Sequence, residues 1–164
     1  MKKTLTSIFF FCALASFAQP PELLLQKGHS APVRVIRFAP NGTYFATGGG
    51  DKLVKLTDAS TGFCFHTFIA HTEPVINIVF TPDGKKLITG SKEELIVWDL
   101  QTEKKLYFFD EGLDLPGTVI AVSPDSKELI FQSSKDNTFV TVDLTTGKSD
   151  NDRDFSYGGI EQLG

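Results

Sequence analysis

The sequence is poor in the residue types that carry redox and metal chemistry. Its 164 residues include two cysteines, three histidines and one methionine. Small folds stapled by disulfides or structural zinc need several cysteines at close spacing, so stability here has to come from a packed core. Basic charge is also scarce, with 16 Lys and Arg against 20 Asp and Glu and a net charge of −4. Neutralising phosphates takes a basic excess, so no nucleic-acid partner is expected. The pairs Lys85-Lys86 and Lys104-Lys105 have acidic neighbours and read as solvated edge-strand positions. Beyond residue 17 no apolar run is long enough for a membrane helix, and long amphipathic helical periodicity is missing. What is present is a 41% hydrophobic chain with 15 phenylalanines, a globular rather than disordered composition.

Residues 1–18 read as a signal peptide. Lys2 and Lys3 form a positive start, Leu5 to Phe17 is a short apolar run, and Ser16-Phe17-Ala18 offers small residues at a cleavage site before Gln19. The alternative is a buried core segment. Cys12 follows Phe11, where a lipid-anchored protein needs a small residue. Removing Lys2 and Lys3 leaves 14 basic against 20 acidic residues, a mature net charge of −6. The expected location is secreted or periplasmic, with no membrane association after cleavage. Only Cys64 then remains, in Phe63-Cys64-Phe65, where it reads as a small buried hydrophobe; an intermolecular disulfide is the alternative.

Self-similarity decides the fold class. Pro40-Asn41-Gly42, Pro82-Asp83-Gly84 and Pro124-Asp125-Ser126 are 42 residues apart, as are His29 and His71. Asp58, Asp99 and Asp143 recur at spacings of 41 and 44. Each unit reads as short strands between tight turns. The predicted strands are 33–39, 44–48, 53–58 and 63–69, then 75–81, 86–90, 94–99 and 104–110, then 118–123, 128–133 and 138–143. Val33-Arg34-Val35-Ile36-Arg37-Phe38 has apolar residues on both faces, so the sheets are expected to be buried on both sides by stacking.

The second unit runs Ala70-His71, Pro74-Val75, Phe80-Thr81-Pro82-Asp83-Gly84, Leu87-Ile88-Thr89-Gly90-Ser91 and Val97-Trp98-Asp99. This resembles the WD40 repeat, with Gly-His near the start and Trp-Asp near the end. The first unit keeps Gly28-His29 and ends Leu56-Thr57-Asp58; the third keeps Ser123-Pro124-Asp125 and Val142-Asp143. The resemblance covers about Glu22 to Lys148. It implies an all-β fold of three four-stranded antiparallel propeller blades, and three units make an incomplete propeller. The expected division is repeats at about 27–69, 70–111 and 112–148. Residues 149–164 then form an acidic tail that is disordered or starts a further outer strand. Leu23–Gln26 would be an outermost strand.

In the family, His, Ser/Thr, Asp and Trp form a hydrogen-bonded network inside a blade. Carried over by position, the first unit has His29, Thr47 and Asp51, with Thr57 in place of Trp. The second has His71, Thr89 and Trp98, but its turn Lys92-Glu93-Glu94 is one residue short and lacks the Asp. The third has Asp136 alone. All three networks are therefore expected to be incomplete.

Catalytic and ligand-binding patterns are weak. His29 and His71 are repeat-equivalent, which a structural role explains, and His66 reads as a surface residue. Gly48-Gly49-Gly50 has no following helix and reads as a turn rather than a phosphate loop. Asp150, Asp152, Asp154 and Glu161 match positions 1, 3, 5 and 12 of a calcium loop, but Phe155 stands where Gly is needed, so a solvated acidic loop is expected. Asn41-Gly42-Thr43 fits a glycosylation site and, better, a turn. No cofactor, metal or catalytic residue is expected. The resemblance implies a scaffold that binds proteins or peptides through its loops, with Arg34 and Glu73 as rim candidates. Self-association through exposed blade faces is a further expectation. The alternatives are the N-terminal arm of a larger secreted enzyme, such as a peptidase, and a truncated remnant.

Overall fold

The computed structural model describes residues 28–69, 71–109, 120–132 and 139–149. Among them there are eleven β-strands and no helix. The first sheet has the order β1 (Val33–Phe38), β2 (Tyr44–Gly49), β3 (Leu53–Asp58) and β4 (Cys64–Ile69). The second has β5 (Asn77–Phe80), β6 (Lys86–Gly90), β7 (Leu95–Asp99) and β8 (Lys104–Phe109). The third has β9 (Ile120–Val122), β10 (Glu128–Gln132) and β11 (Phe139–Asp143). Every pairing within the sheets is antiparallel and joins chain neighbours. The three sheets are WD40-like propeller blades, and together they form an incomplete propeller.

Turn chemistry sets these meanders. After β1, Gly42 takes a φ of 70° and its N–H donates to Ala39 O at 2.8 Å. Asn41 Oδ1 accepts the Thr43 N–H at 3.0 Å, closing the turn from the side-chain side. Gly84 repeats this conformation with a φ of 69°, and Ser126 adopts it without being glycine, at 62°. The Ser126 hydroxyl accepts the Asp83 N–H at 3.0 Å, which ties the third blade's turn to the second's. Both complete blades also carry an irregularity at one place, between Leu56 and Thr57 and between Val97 and Trp98. A bulge of this kind bends the strand locally and increases its twist.

Side-chain alternation then decides what is buried. Ala46, Val54, Leu56 and Phe68 of the first sheet pack against Val75, Ile78, Phe80, Leu87, Ile96 and Trp98. The opposite face of the second sheet, through Ile88, Leu95, Val97 and Phe109, packs against Leu129, Phe131, Val140 and Val142 of the third. The middle sheet is thus covered on both sides and supplies the largest share of the core. Backbone approach between blades needs a glycine at one point. A Cβ on Gly48 would stand 2.6 Å from Val75 Cγ1, so the side chain of the linker seats where residue 48 has none.

Several expectations are corrected. Strand β1 is not buried on both sides: Val33, Ile36 and Phe38 are exposed, because one face of the first sheet has no sheet over it among the described residues. Cys64 is half-buried rather than enclosed. Strand β5 is shorter than its predicted range, since Val75 and Ile76 belong to the linker that crosses from blade to blade. The third sheet has three described strands instead of four.

Burial contrasts two chemically identical side chains, Phe131 fully enclosed between blades and Phe38 61% exposed. Phe131→Ala is expected to lower unfolding free energy by about 3–5 kcal/mol and Phe38→Ala by under about 1 kcal/mol. Urea titration of both variants checks the difference.

Candidate functional site

The repeat brings its polar residues together inside the first two blades. In the first, the loop before β1 carries His29 over the sheet. His29 Nδ1 lies 2.7 Å from Asp51 Oδ1 and Nε2 lies 2.8 Å from Thr47 Oγ1. The second carboxylate oxygen accepts the Ser30 N–H at 2.9 Å. Glycine is required here for space, because a Cβ on Gly49 would collide with both His29 and Asp51.

The second blade holds a longer chain of bonds. Trp98 Nε1–H donates to Thr89 Oγ1 at 2.8 Å, and Thr89 Oγ1 lies 2.8 Å from His71 Nε2. His71 Nδ1 faces Glu94 Oε2 at 3.1 Å. An indole N–H can only donate and a carboxylate can only accept, so the chain has one direction. Thr89 donates to His71 Nε2, and the Nδ1 proton points at Glu94. The carboxylate also accepts the Thr72 N–H at 3.0 Å and the Thr72 hydroxyl. The expectation that this unit's network is incomplete is corrected: the Asp is missing as expected, and Glu94 supplies the carboxylate. Glu94 immediately precedes β7, in the register that Leu53 holds in the first blade, two residues beyond Asp51. The shorter turn is made up by one extra methylene in the side chain. The signal was present in the sequence as a deletion beside a Glu.

Electrostatics follow from this enclosure. The His71 side chain is 1% exposed, and burial pushes its pKa below 6.5, with Glu94 pulling part of the way back. Burial raises the Glu94 carboxyl, but the Thr72 hydroxyl and backbone N–H and the His71 contact outweigh it and hold it below 4.5. The order Glu, His, Thr matches the parts of an acid–base relay in type. Here the Thr89 oxygen already takes the Trp98 proton donor and is fully buried, so no substrate atom reaches it.

The third blade has no such chain among its described residues. Phe131 stands at the position of Thr89, and Val142 pairs with Leu129 as Trp98 pairs with Leu87. Polar bonds are replaced by apolar packing. Asp136 lies outside the described residues, as do Asp150, Asp152, Asp154, Glu161 and the leader. No cluster of metal-ligating side chains occurs among the described residues.

Asp58, Asp99 and Asp143 each close a turn. Asp58 Oδ1 accepts the Ser60 hydroxyl and the Thr61 N–H and hydroxyl at 2.6–2.8 Å, which holds its pKa down at about 2. Asp99 and Asp143 bind the Thr102 and Thr145 N–H groups in the same way, at 2.7 and 2.6 Å. The rim candidates do not form a matched pair: Arg34 is exposed at the start of β1, and Glu73 is half-buried in the linker before β5. His66 is partly exposed and bridges blades, with Nδ1 3.0 Å from Glu103 Oε2.

Sheets of four antiparallel neighbours, the second holding a buried His–Thr–Trp chain, define a propeller-blade protein. Residues 21–58 and 62–99 match the WD40 family, described as WD domain, G-beta repeat. The second match begins at β4, so the outer strand of one sheet opens the repeat that builds the next. The chain is similar to the WD repeat domain-containing protein 83 homolog of Dictyostelium discoideum, 30% identical over 118 residues, covering 72% of this chain and 36% of that protein. It is also similar to the Periodic tryptophan protein 2 homolog of the same organism, 39% identical over 49 residues, 30% of this chain and 5% of the relative. A third relative is the Ribosome biogenesis protein BOP1 homolog of Drosophila virilis, 41% identical over 46 residues, 28% of this chain and 6% of the relative. The chain spans about a third or less of the length of these relatives.

The buried pair predicts acid sensitivity. Both folded-state pKa values are depressed, so the unfolded state takes up protons first as pH falls. Stability is expected to decline as pH drops below 6.5, through His71, and to decline again below 4.5, through Glu94. The first decline should disappear in His71→Gln. Urea midpoints measured from pH 8 to pH 4 in both proteins check this.

Proposed function

We propose that this chain is a secreted, non-catalytic scaffold that binds proteins or peptides through the loops and open faces of its blades. One observation carries the reading: the polar machinery of the repeat is turned inward. His71, Glu94 and Thr89 are buried and bonded to one another, which leaves the loop rims and sheet faces as the surfaces for recognition. WD repeat relatives fit an interaction scaffold, and the third unit, at about 112–148, extends the same repeat. The leader residues Lys2 and Lys3 and the Ser16-Phe17-Ala18 cleavage pattern support export to a secreted or periplasmic location. The acidic mature charge favours a protein over a nucleic-acid partner.

A second reading is favoured by a separate observation. Ile36, Phe38, Ile130 and Phe139 are large, apolar and exposed on the two outward sheet faces. Faces of this kind support self-association. The greater length of the relatives keeps a third reading in view, in which the chain is one arm of a larger secreted protein.

Selection of displayed random peptides against the purified protein tests the scaffold reading. Enriched sequences are expected to lose about tenfold in affinity against Arg34→Ala or Glu73→Ala. Absence of any enriched sequence would count against a peptide-binding rim.

A further inference from the structure

The two outward faces correspond, position by position, to surfaces that the same chain already covers elsewhere. On the first sheet, Phe38 is 61% exposed, while its repeat equivalent Phe80 is 8% exposed with its ring edge-on to Tyr44 of the neighbouring blade at 5.8 Å. Ile36 is likewise exposed, and its equivalent Ile78 is buried. On the third sheet, Ile130 and Phe139 are exposed, and their equivalents Ala46 and Val54 are buried under the second sheet. One face is therefore the receiving half of the inter-blade interface and the other is the supplying half. The chain builds this interface twice within itself, between sheets one and two and between sheets two and three.

Polar substitutions on the two faces agree with each other. Where the second blade presents Ile96, Trp98 and Phe108, the first presents Lys55, Thr57 and Thr67 at the same register. Where the first blade's covered face has Leu56, the third blade's open face has Thr141. The first face keeps Ile36 and Phe38 on β1 and turns polar on β3 and β4, and the third keeps Ile130 on β10 and Phe139 on β11 beside Thr141.

We infer that the first-sheet face of one molecule docks on the third-sheet face of a second copy of this chain, head to tail. This rests on the reading above that the open faces bind. Pairing like faces would bring two receiving halves or two supplying halves together, whereas head-to-tail pairing joins one of each and repeats a geometry the chain already uses. Two copies joined in this way bring six sheets into one circle, within the range of four to eight blades that close a propeller.

The test uses the purified protein, Phe38→Asp and Phe139→Asp, each alone and mixed in equal amounts, in sedimentation velocity at micromolar concentration. Circular dichroism verifies the fold of each, and Ile36→Asp with Ile130→Asp form a second pair. Wild type is expected to run as a dimer or larger. Each variant alone should associate about a hundredfold more weakly, because a carboxylate replaces a buried ring at its one damaged face. The mixture should recover a dimer, since the intact third-sheet face of Phe38→Asp meets the intact first-sheet face of Phe139→Asp. A monomeric wild type would overturn self-association altogether and assign the faces to a different protein or to further blades. An associating wild type in which one variant alone is impaired would overturn head-to-tail pairing and leave self-association standing. Two impaired variants whose mixture stays monomeric would also overturn the pairing.

Discussion

Burial of one sheet face against the next is the interaction on which everything else in this structure depends. A single four-stranded meander has two faces and can fill neither alone. The middle sheet solves this by packing Leu87 and Ile96 toward one neighbour and Ile88 and Val97 toward the other. Details that look local serve this contact. Gly48 is small so that Val75 can seat, and the Phe68 ring lies 4.5 Å from the Trp98 ring across the boundary. The repeat register adds a covalent tie, because β4 of the first sheet and β5 to β7 of the second lie in one repeat match.

Polar bonding is layered on this packing rather than substituting for it. The buried chain from Trp98 to Glu94 is fully matched in donors and acceptors, so it avoids the cost of orphaned buried groups and fixes the linker that carries His71 over the sheet. The first blade has a shorter version through His29, Thr47 and Asp51. In the third, Phe131 and Val142 occupy the corresponding strand positions, and apolar packing takes the place of the buried chain among the described residues. The network is partial in the first blade, fullest in the second and absent from the described residues of the third. Enclosure gives the Glu–His–Thr series a positioning role, with Glu94 holding the Thr72 N–H of the linker.

Much of the fold was legible because it is written in repetition. The Pro-Asp/Asn-Gly turns at 42-residue spacing located the hairpins, and β3, β6 and the paired strands around them follow from alternation between turns. Two things were not legible. Whether a strand that is apolar on both faces is covered on both depends on what lies beyond it, and the pattern Val33 to Phe38 is the same in an end blade and a middle one. The carboxylate of the second blade was hidden by its register. Reading fixed positions found a missing Asp, while three-dimensional reach lets Glu94 deliver the same oxygen from the register of Leu53, two residues beyond that of Asp51.

Native-state hydrogen exchange tests the dependence on inter-blade packing most directly. If packing between sheets holds the structure, amides of β6 and β7, covered on both faces, exchange slowest, and those of β1 and β11, each in a sheet with one open face, exchange at clearly lower opening free energies. Equal protection across the three sheets, or slowest exchange in the first, would contradict the account.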